Sequence, residues 1–170
     1  MKLIDITAIL LLLLLQQGCS GKQELHSAKV LQDGEELLWG RISAPQLFFD
    51  YPDWKIEYNN YQVDTIALYG LKPDREHAVE IFFATWCEDS QREVPRFLKI
   101  NDLLHFFAED SIRMYAVDRK KQLAGNLCSL RNISRVATFI FFKSGREIGR
   151  IIEYPQETME KDLKSIFELR

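Results

Sequence analysis

The chain has 170 residues, of which 46% are hydrophobic and 12% aromatic, and its formal net charge is −3 at pH 7. This length and composition fit one domain with a single core and a short N-terminal extension. The weakly acidic charge gives no reason to expect a nucleic acid as partner, because surfaces that bind nucleic acids are strongly basic.

The first 18 residues resemble a signal peptide. An apolar stretch over residues 6–15 is too short to span a bilayer and is typical of the core of an export signal. A glycine and Cys19 follow it, as in the lipobox of bacterial lipoproteins, where the cysteine becomes the lipidated N-terminus. We therefore predict a protein of the cell envelope or periplasm that is anchored to a membrane through Cys19. A plainly cleaved signal and an uncleaved anchor are the alternatives.

After the leader we predict a polar tether over residues 19–34, an N-terminal extension over residues 35–76 and a folded domain over residues 77–170. The extension is rich in aromatic side chains, which either line a ligand groove or pack on the domain. We favour packing, because aromatic side chains dominate buried surfaces. Within the extension we expect short helices, one of them near residues 63–70, and an edge strand near residues 54–58.

The folded domain alternates between apolar runs and amphipathic stretches. The patterns predict strands over residues 77–84, 112–117, 138–143 and 147–153, and helices over residues 88–108, 121–131 and 156–169. A tight turn at residues 144–146 joins the last two strands into a hairpin. The order strand, helix, strand, helix, hairpin, helix implies two parallel strands joined by a right-handed crossover, together with an antiparallel pair.

Cys87 lies at the predicted junction between a strand and the long helix that follows it. A thiol there is close to free backbone N–H groups and to the positive end of the helix dipole, and both favour the nucleophilic thiolate. Ser90, one turn later, can donate a hydrogen bond to that thiolate. Glu88 and Asp89 act in the opposite sense because like charges repel. The residues indicate sulfur chemistry at Cys87, with an inert, half-buried cysteine as the alternative.

The motif around this cysteine resembles a known family. Residues 82–90 are Phe-Phe-Ala-Thr-Trp-Cys-Glu-Asp-Ser, and residues 92–97 are Arg-Glu-Val-Pro-Arg-Phe. With residues 114–119 and 138–150, they resemble the thioredoxin-like superfamily, and in particular a monothiol subgroup with Trp-Cys-x-Asp-Ser. The resemblance implies an α/β thioredoxin-like fold, in which helices flank a mixed parallel and antiparallel sheet.

The resemblance also implies which residues carry the chemistry. Trp86, Cys87 and Ser90 take the positions of the catalytic motif, and Pro95 takes the position at which thioredoxins kink the helix. Ser90 replaces the second cysteine of the usual dithiol, so release of a mixed disulfide needs an external thiol. Ile81 replaces a buried carboxylate that lies six residues before the nucleophile in many thioredoxins. We expect the neighbouring Glu80 to point to the opposite face of the sheet.

A second segment implied by the resemblance is the substrate loop formed by Val136, Ala137 and Thr138. Thioredoxins have a cis-proline at the position of Ala137. A cis bond before a residue other than proline costs about 2.5–4 kcal/mol, so we predict a trans peptide and a reshaped loop.

If Cys19 is lipidated, Cys87 and Cys128 are the remaining cysteines. Cys128 is either a buried, small apolar residue or a candidate resolving cysteine for Cys87, and the second role requires Cα atoms within about 7 Å. The three histidines are too scattered in the sequence to form a metal site. We therefore predict neither a metal nor another cofactor.

Three functions remain open from the sequence alone. The first is monothiol thiol–disulfide exchange through Cys87, acting on protein or small-molecule thiols and disulfides of the cell envelope. The second is a redox-inactive binding or scaffold module with a thioredoxin fold. The third is a redox-sensing switch between Cys87 and Cys128. Only the first makes the protein an enzyme, a monothiol thiol–disulfide oxidoreductase.

Overall fold

The computed structural model describes residues 26–168, so the predicted leader and Cys19 lie outside the described residues. In chain order the elements are β1 (Ala28–Gln32), β2 (Glu35–Ile42), α1 (Ala44–Asp50), α2 (Asp53–Asn60), β3 (His77–Phe83), α3 (Glu88–Leu104), a 3₁₀ turn (Glu109–Ser111), β4 (Ile112–Ala116), α4 (Leu127–Leu130), β5 (Thr138–Lys143), β6 (Arg146–Ile152) and α5 (Met159–Glu168). No helix among these residues is long and apolar enough to cross a bilayer.

The six strands form one mixed sheet in the order β1-β2-β4-β3-β5-β6. β3 and β4 are parallel, whereas every other neighbouring pair is antiparallel. The four strands predicted for the domain are all present, with the parallel pair and the final hairpin as expected. The described part of the chain therefore has the α/β architecture that the sequence predicted.

The strand alternation of β3 divides the core between the two faces of the sheet. Val79, Ile81 and Phe83 belong to a large cluster that also contains apolar residues of α3 and α5, namely Val94, Phe97, Leu98, Ile100, Met159 and Leu163. Phe82 belongs to a smaller cluster on the opposite face, together with Tyr115. The larger cluster fixes α3, and hence the residue at its N-terminus, against the sheet.

The helix α3 ends earlier than predicted. The sequence pattern placed its end at residue 108, but the helix stops at Leu104 because His105 has left-handed backbone geometry with φ of 50°. The side chain of Asn101 then accepts a hydrogen bond from the Phe107 amide at 2.8 Å. This contact turns Phe106 and Phe107 into the core, which explains why apolar residues continue past the end of the helix.

The N-terminal hairpin was not predicted. Residues 28–34, which we assigned to a tether, form β1 and the turn to β2, and that part of the prediction is wrong. Asp33 and Gly34 form the turn with φ values of 53° and 82°. β2 then joins the sheet by pairing with β4, so the hairpin continues the sheet of the folded domain.

Two predictions within the N-terminal extension are also wrong. Residues 54–58, predicted as a strand, lie within helix α2, in which Trp54 is buried and packs edge-on against Phe83 at 5.7 Å between ring centroids. Residues 63–70, predicted as a helix, contain no helix, and residues 65–70 form turns. The Asp64 carboxylate accepts hydrogen bonds from the Ile66 and Ala67 amides, and such a local turn competes with a helix.

The last two helices are shorter than predicted. In the segment predicted as a helix over residues 121–131, only Leu127–Leu130 is helical, because Lys121 and Gly125 have left-handed backbone geometry with φ of 58° and 77°. α5 begins at Met159 instead of residue 156. The Asp162 carboxylate accepts hydrogen bonds from the amides of residues 156 and 157, which fixes them as a non-helical lead-in.

Candidate functional site

Cys87 is the N-cap residue of α3, the strand-to-helix junction that the sequence predicted. Its amide donates to the Ala84 carbonyl at 3.1 Å, and its carbonyl accepts from the Gln91 amide at 3.0 Å. The side chain is half-buried and packs against the smaller of the two core clusters. The sulfur is therefore held at the positive end of a 17-residue helix while part of it stays open to solvent.

The thiol of Cys87 faces the predicted substrate loop. Its Sγ donates a hydrogen bond to the Val136 carbonyl at 3.0 Å, and the backbone of Ala137 follows directly in sequence. Val136, Ala137 and Thr138 are all buried. The structure thus brings together two segments that are 49 residues apart in the chain.

The peptide bond between Val136 and Ala137 is cis, so the predicted trans peptide is wrong. The prediction rested on the intrinsic preference of an isolated peptide bond for the trans form. It did not include the hydrogen bonds that the fold forms around this loop. The Ala137 carbonyl accepts from the Glu153 amide at 2.6 Å, and the Thr138 hydroxyl donates to the Arg135 carbonyl at 2.7 Å. These bonds hold the loop on both sides of the peptide and direct the Val136 carbonyl toward Cys87.

Ser90 occupies the predicted position but makes a different contact. It is fully buried, and its hydroxyl accepts a hydrogen bond from the Ala84 amide at 3.2 Å. The predicted donation from Ser90 to Cys87 is not found among the described residues. This hydrogen bond joins the end of β3 to the first turn of α3.

Ile81 and Glu80 lie on opposite faces of the sheet, as predicted. Ile81 is fully buried in the larger core cluster. Glu80 is buried on the other face, where Arg113 and Arg131 donate hydrogen bonds to its carboxylate. The Glu80 carboxylate therefore binds two guanidinium groups and lies on the opposite face of the sheet from Ile81.

A contact between the N-terminal hairpin and Trp86 was missed by the sequence analysis. The guanidinium of Arg119 lies 5.6 Å from the centroid of the Trp86 ring and forms ion pairs with Glu35 and Asp33. The Arg119 amide also donates to the Gln32 side chain at 2.9 Å. More than 80 residues separate Arg119 from Gln32 and Glu35, and no local pattern in the sequence indicates that they meet.

Cys128 is buried and free, and it belongs to the same cluster against which Cys87 packs. Burial raises the pKa of the Cys128 thiol to about 11, and the nearby negative charge of Asp118 adds to the effect. The structure holds Cys87 and Cys128 as two free thiols. Among the described residues, no group of three or more His, Cys, Asp and Glu side chains is placed to hold a metal ion.

We expect iodoacetamide at pH 8 to modify Cys87 in the native chain and to leave Cys128 unmodified. Only the thiolate reacts, and a thiol whose pKa is raised to about 11 is protonated at this pH, so the Cys128 rate should grow as the pH approaches 11. Peptide mass spectrometry of the digested chain measures both sites, and unfolding in urea is the control that exposes Cys128. Equal native rates at pH 8 would contradict the prediction.

The chain resembles known proteins in sequence and in structure. No protein-family model matches the chain. Over 82 residues the chain is 26% identical to a thioredoxin-like protein of Acanthamoeba polyphaga mimivirus, and the match covers 48% of this chain and 56% of that protein. The chain therefore spans about half the length of the curated relative that it matches. This match supports a relationship to the thioredoxin-like superfamily.

The chain has a thioredoxin-like fold. Solved structures that resemble it include thioredoxin O2 of Arabidopsis thaliana, at 25% identity over 61% of this chain and 83% of that one, with a TM-score of 0.39. Mitochondrial thioredoxin 3 of Saccharomyces cerevisiae is 18% identical over 65% of this chain and 96% of that one, also with a TM-score of 0.39. The parallel pair β3–β4, the connecting α3 and the hairpin β5–β6 are elements that the sequence predicted for this fold.

Within the thioredoxin-like fold, Cys87 and the loop of Val136 and Ala137 meet at one end of the sheet. The hairpin of β1 and β2 extends the same sheet, and its turn contacts Arg119 beside Trp86. The end of the sheet therefore combines a thiol at the start of a helix, a buried loop and a tryptophan ring that lies beside an arginine. Such an arrangement can present a single sulfur to a disulfide that approaches from solvent.

Proposed function

We propose that this protein carries out monothiol thiol–disulfide exchange with Cys87 as the nucleophile. The observation that carries the proposal is the half-buried Cys87 thiol at the N-cap of α3, 3.0 Å from the Val136 carbonyl. The positive end of a helix stabilises a thiolate, and the thiolate is the form that attacks a disulfide. The thioredoxin-like fold supports the same class of chemistry.

The exchange needs three steps because the chain supplies one sulfur at this site. In the first, the Cys87 thiolate attacks one sulfur of a substrate disulfide. The S–S bond breaks, a mixed disulfide forms, and the other sulfur leaves as a thiolate. In the second, the thiolate of an external small thiol attacks the Cys87 sulfur, forms a disulfide with it and releases the second substrate sulfur as a thiolate. In the third, a further external thiolate attacks the small thiol's sulfur in this disulfide, forms the disulfide of the small thiol and releases Cys87 as a thiolate. The hydroxyl of Ser90 cannot replace either external thiol.

We further propose that the substrates are protein or small-molecule thiols and disulfides of the cell envelope. The support is the sequence of the first 18 residues and Cys19, which resembles the leader of a lipoprotein. In this proposal a lipid on Cys19 anchors the chain to a membrane, and the polar residues after it keep the domain within reach of envelope proteins. Release of the chain from membranes by detergent but not by high salt would support the anchor, and release by salt alone would contradict it.

The test of the proposed exchange uses glutathione as the external thiol and a fluorescent peptide with one disulfide as the substrate. The wild-type chain should accelerate reduction of the peptide, and Cys87→Ser should lose this acceleration. Cys128→Ser is the matched control and should retain it, since Cys128 is buried. A mixed disulfide at Cys87, identified by mass spectrometry, should accumulate when glutathione is omitted. An acceleration that survives Cys87→Ser, or none in the wild type, would contradict the proposal.

A redox-inactive binding module is the second candidate function. It is favoured because two groups that assist exchange in dithiol proteins, the second cysteine and the buried carboxylate, are replaced here. Ser90 stands in place of the cysteine and is bound to the Ala84 amide, and Ile81 stands in place of the carboxylate and is an apolar core residue. For such a module we expect the Cys87 thiol at pH 7 to react with iodoacetamide no faster than free cysteine does. A faster, Cys87-dependent reaction would favour exchange.

A further inference from the structure

Three arginines surround Tyr115 on the face of the sheet that carries the smaller core cluster. Arg41 of β2 lies directly opposite Tyr115 of β4 in the strand register, and Arg113 lies two residues before Tyr115 on β4. Directly opposed residues, and residues two apart on one strand, share a face of the sheet. Arg131 reaches this face as well, because it donates to Glu80, the partner of Arg113 in β3. We call Tyr115 and the three arginines the arginine–tyrosine site.

The arginine–tyrosine site carries more positive than negative charge. Arg131 donates to both oxygens of the buried Glu80 carboxylate, with Nη2 at 3.0 Å from Oε1. Arg113 adds one hydrogen bond to Glu80 through Nη1 at 3.1 Å, and its Nε and Nη2 form none within the described part of the chain. The exposed Arg41 guanidinium forms no ion pair or hydrogen bond with the described residues. Glu80 therefore balances one of the three positive charges, and two remain.

The hydroxyl of Tyr115 forms no hydrogen bond within the described part of the chain. Tyr115 is 8% exposed, and a phenol buried to this extent normally donates its O–H to an acceptor. Its oxygen stays accessible to solvent, so an incoming ligand can reach this unused donor. Burial raises the pKa of Tyr115, with the charge of Glu80 as the second cause, and the charges of the three arginines act in the opposite direction. The hydroxyl is thus protonated at neutral pH and lies close to all three guanidinium groups.

The fold leaves room for a ligand at these donors. Among the described residues β2 pairs with β4 only as far as Met114, so Arg113 has no β2 neighbour and its side chain is 43% exposed. Arg41 and Arg113 are diagonal neighbours, roughly 7–8 Å apart, so both guanidinium groups can reach one small anion. A cavity of about 340 Å³, lined in part by Arg75, Arg113 and Arg131, adjoins these donors and can hold the rest of a small ligand.

These donors fit a phosphate monoester better than a carboxylate. A phosphate monoester has three terminal oxygens and a charge of about −1.5 to −2 at pH 7, so it can balance both remaining positive charges. Guanidinium groups bind phosphate oxygens through paired N–H donors. A carboxylate has two oxygens and one charge. The adjoining cavity is also lined by Glu76 and Asp110, whose carboxylates can accept hydrogen bonds from hydroxyl groups of the ligand.

We propose that the arginine–tyrosine site binds the phosphate group of a small phosphate monoester that carries hydroxyl groups. Arg41 and Arg113 hold two phosphate oxygens by charge-assisted hydrogen bonds, and Tyr115 donates its hydroxyl to the third. Arg131 stays bound to Glu80 and neutralises that carboxylate, which would otherwise repel the phosphate. The ligand is bound without any covalent change, and the proposal does not rest on the exchange proposed for Cys87.

The test is calorimetric titration of the full-length chain with glycerol 3-phosphate at low ionic strength. We expect saturable binding of one molecule per chain. Acetate has one charge and two oxygens, so its Kd should be at least about tenfold higher. Dibutyryl phosphatidic acid presents the same phosphate group as a lipid headgroup, with the hydroxyl groups of the glycerol acylated. Its Kd should also be about tenfold higher, which distinguishes a soluble ester from a lipid.

Variants test the same donors from the protein side. Arg41→Gln should raise Kd about tenfold, because it removes a charged donor. Arg146→Gln is the matched control, since Arg146 is an exposed arginine of β6 at the far edge of the sheet, and it should leave Kd unchanged. Tyr115→Phe should raise Kd about threefold through the loss of one neutral hydrogen bond. Thermal unfolding checks that each variant folds.

Three results would overturn the phosphate site. The first is the absence of binding at millimolar glycerol 3-phosphate. The second is an unchanged Kd in a folded Arg41→Gln variant. The third is equal affinity for glycerol 3-phosphate and either acetate or dibutyryl phosphatidic acid. Cys87→Ser should bind glycerol 3-phosphate as the wild type does, so failure of the exchange assay would leave this test unaffected.

Discussion

Replacement of both Arg113 and Arg131 with methionine is expected to lower the free energy of unfolding by about 3 kcal/mol. The carboxylate that they share belongs to Glu80, which is 2% exposed in the middle of β3. Arg131 donates to it at 3.0 Å through Nη2, and Arg113 donates at 3.1 Å through Nη1. Without both arginines, the Glu80 charge would be buried with no partner. The two arginines are partly exposed, so water can reach the Glu80 carboxylate. The expected decrease in the free energy of unfolding is therefore at the low end of the range for a broken buried ion pair.

Urea unfolding of three variants separates the buried charge from the lost packing. The double variant should unfold at lower urea than the wild type, and Glu80→Met combined with the two arginine replacements should recover most of the stability, because no charge then remains buried. Arg135→Met is the matched control, since Arg135 is exposed and pairs with Glu153, and it should change stability by less than about 1 kcal/mol. A triple variant as unstable as the double variant would contradict this account of Glu80.

The parts of the fold that the sequence predicted are those with a strong local pattern. The alternation in β3 correctly assigned Ile81 and Glu80 to opposite faces, because a strand has a two-residue period that a reader can count. Cys87 was placed correctly at the start of α3 for the same reason, since an apolar strand and an amphipathic helix meet there. Local periodicity determines which element a residue belongs to and which face it occupies.

The parts that were missed depend on contacts between distant residues. β1 is short and largely exposed, with two half-buried residues in five, and it is a strand because β2 offers it a partner. The contact of Arg119 with Trp86 and with the hairpin turn joins segments that no local pattern connects. The cis peptide at Ala137 was missed because the hydrogen bonds of Glu153 and Thr138 form only in the folded chain. A local sequence pattern does not show such contacts between distant residues.

Phe97→Ala is expected to lower the free energy of unfolding by about 3–5 kcal/mol. Phe97 is 1% exposed on the inner face of α3. Its ring centroid lies 5.4 Å from that of Phe139 and 6.0 Å from that of Phe107, so truncation removes these contacts and leaves a cavity at the centre of the larger core cluster. Leu103→Ala on the same helix is the matched control, because Leu103 is 54% exposed, and it should change stability by less than about 0.5 kcal/mol.

The Phe97→Ala variant also tests whether packing around Phe97 determines the position of the Cys87 thiol. Cys87 lies ten residues earlier, at the N-cap of the same helix, and its own hydrogen bonds are with Ala84, Gln91 and Val136. Ala84 and Val136 belong to the smaller core cluster, whereas Phe97 belongs to the larger one. A domain of this size is stable by about 5–15 kcal/mol, so the variant should remain folded in water at 15 °C. Under those conditions the alkylation rate of Cys87 should stay within about twofold of the wild-type rate, while the urea midpoint falls. A large change in that rate, with the variant still folded by circular dichroism, would mean that packing in the middle of α3 sets the geometry of the thiol at its start.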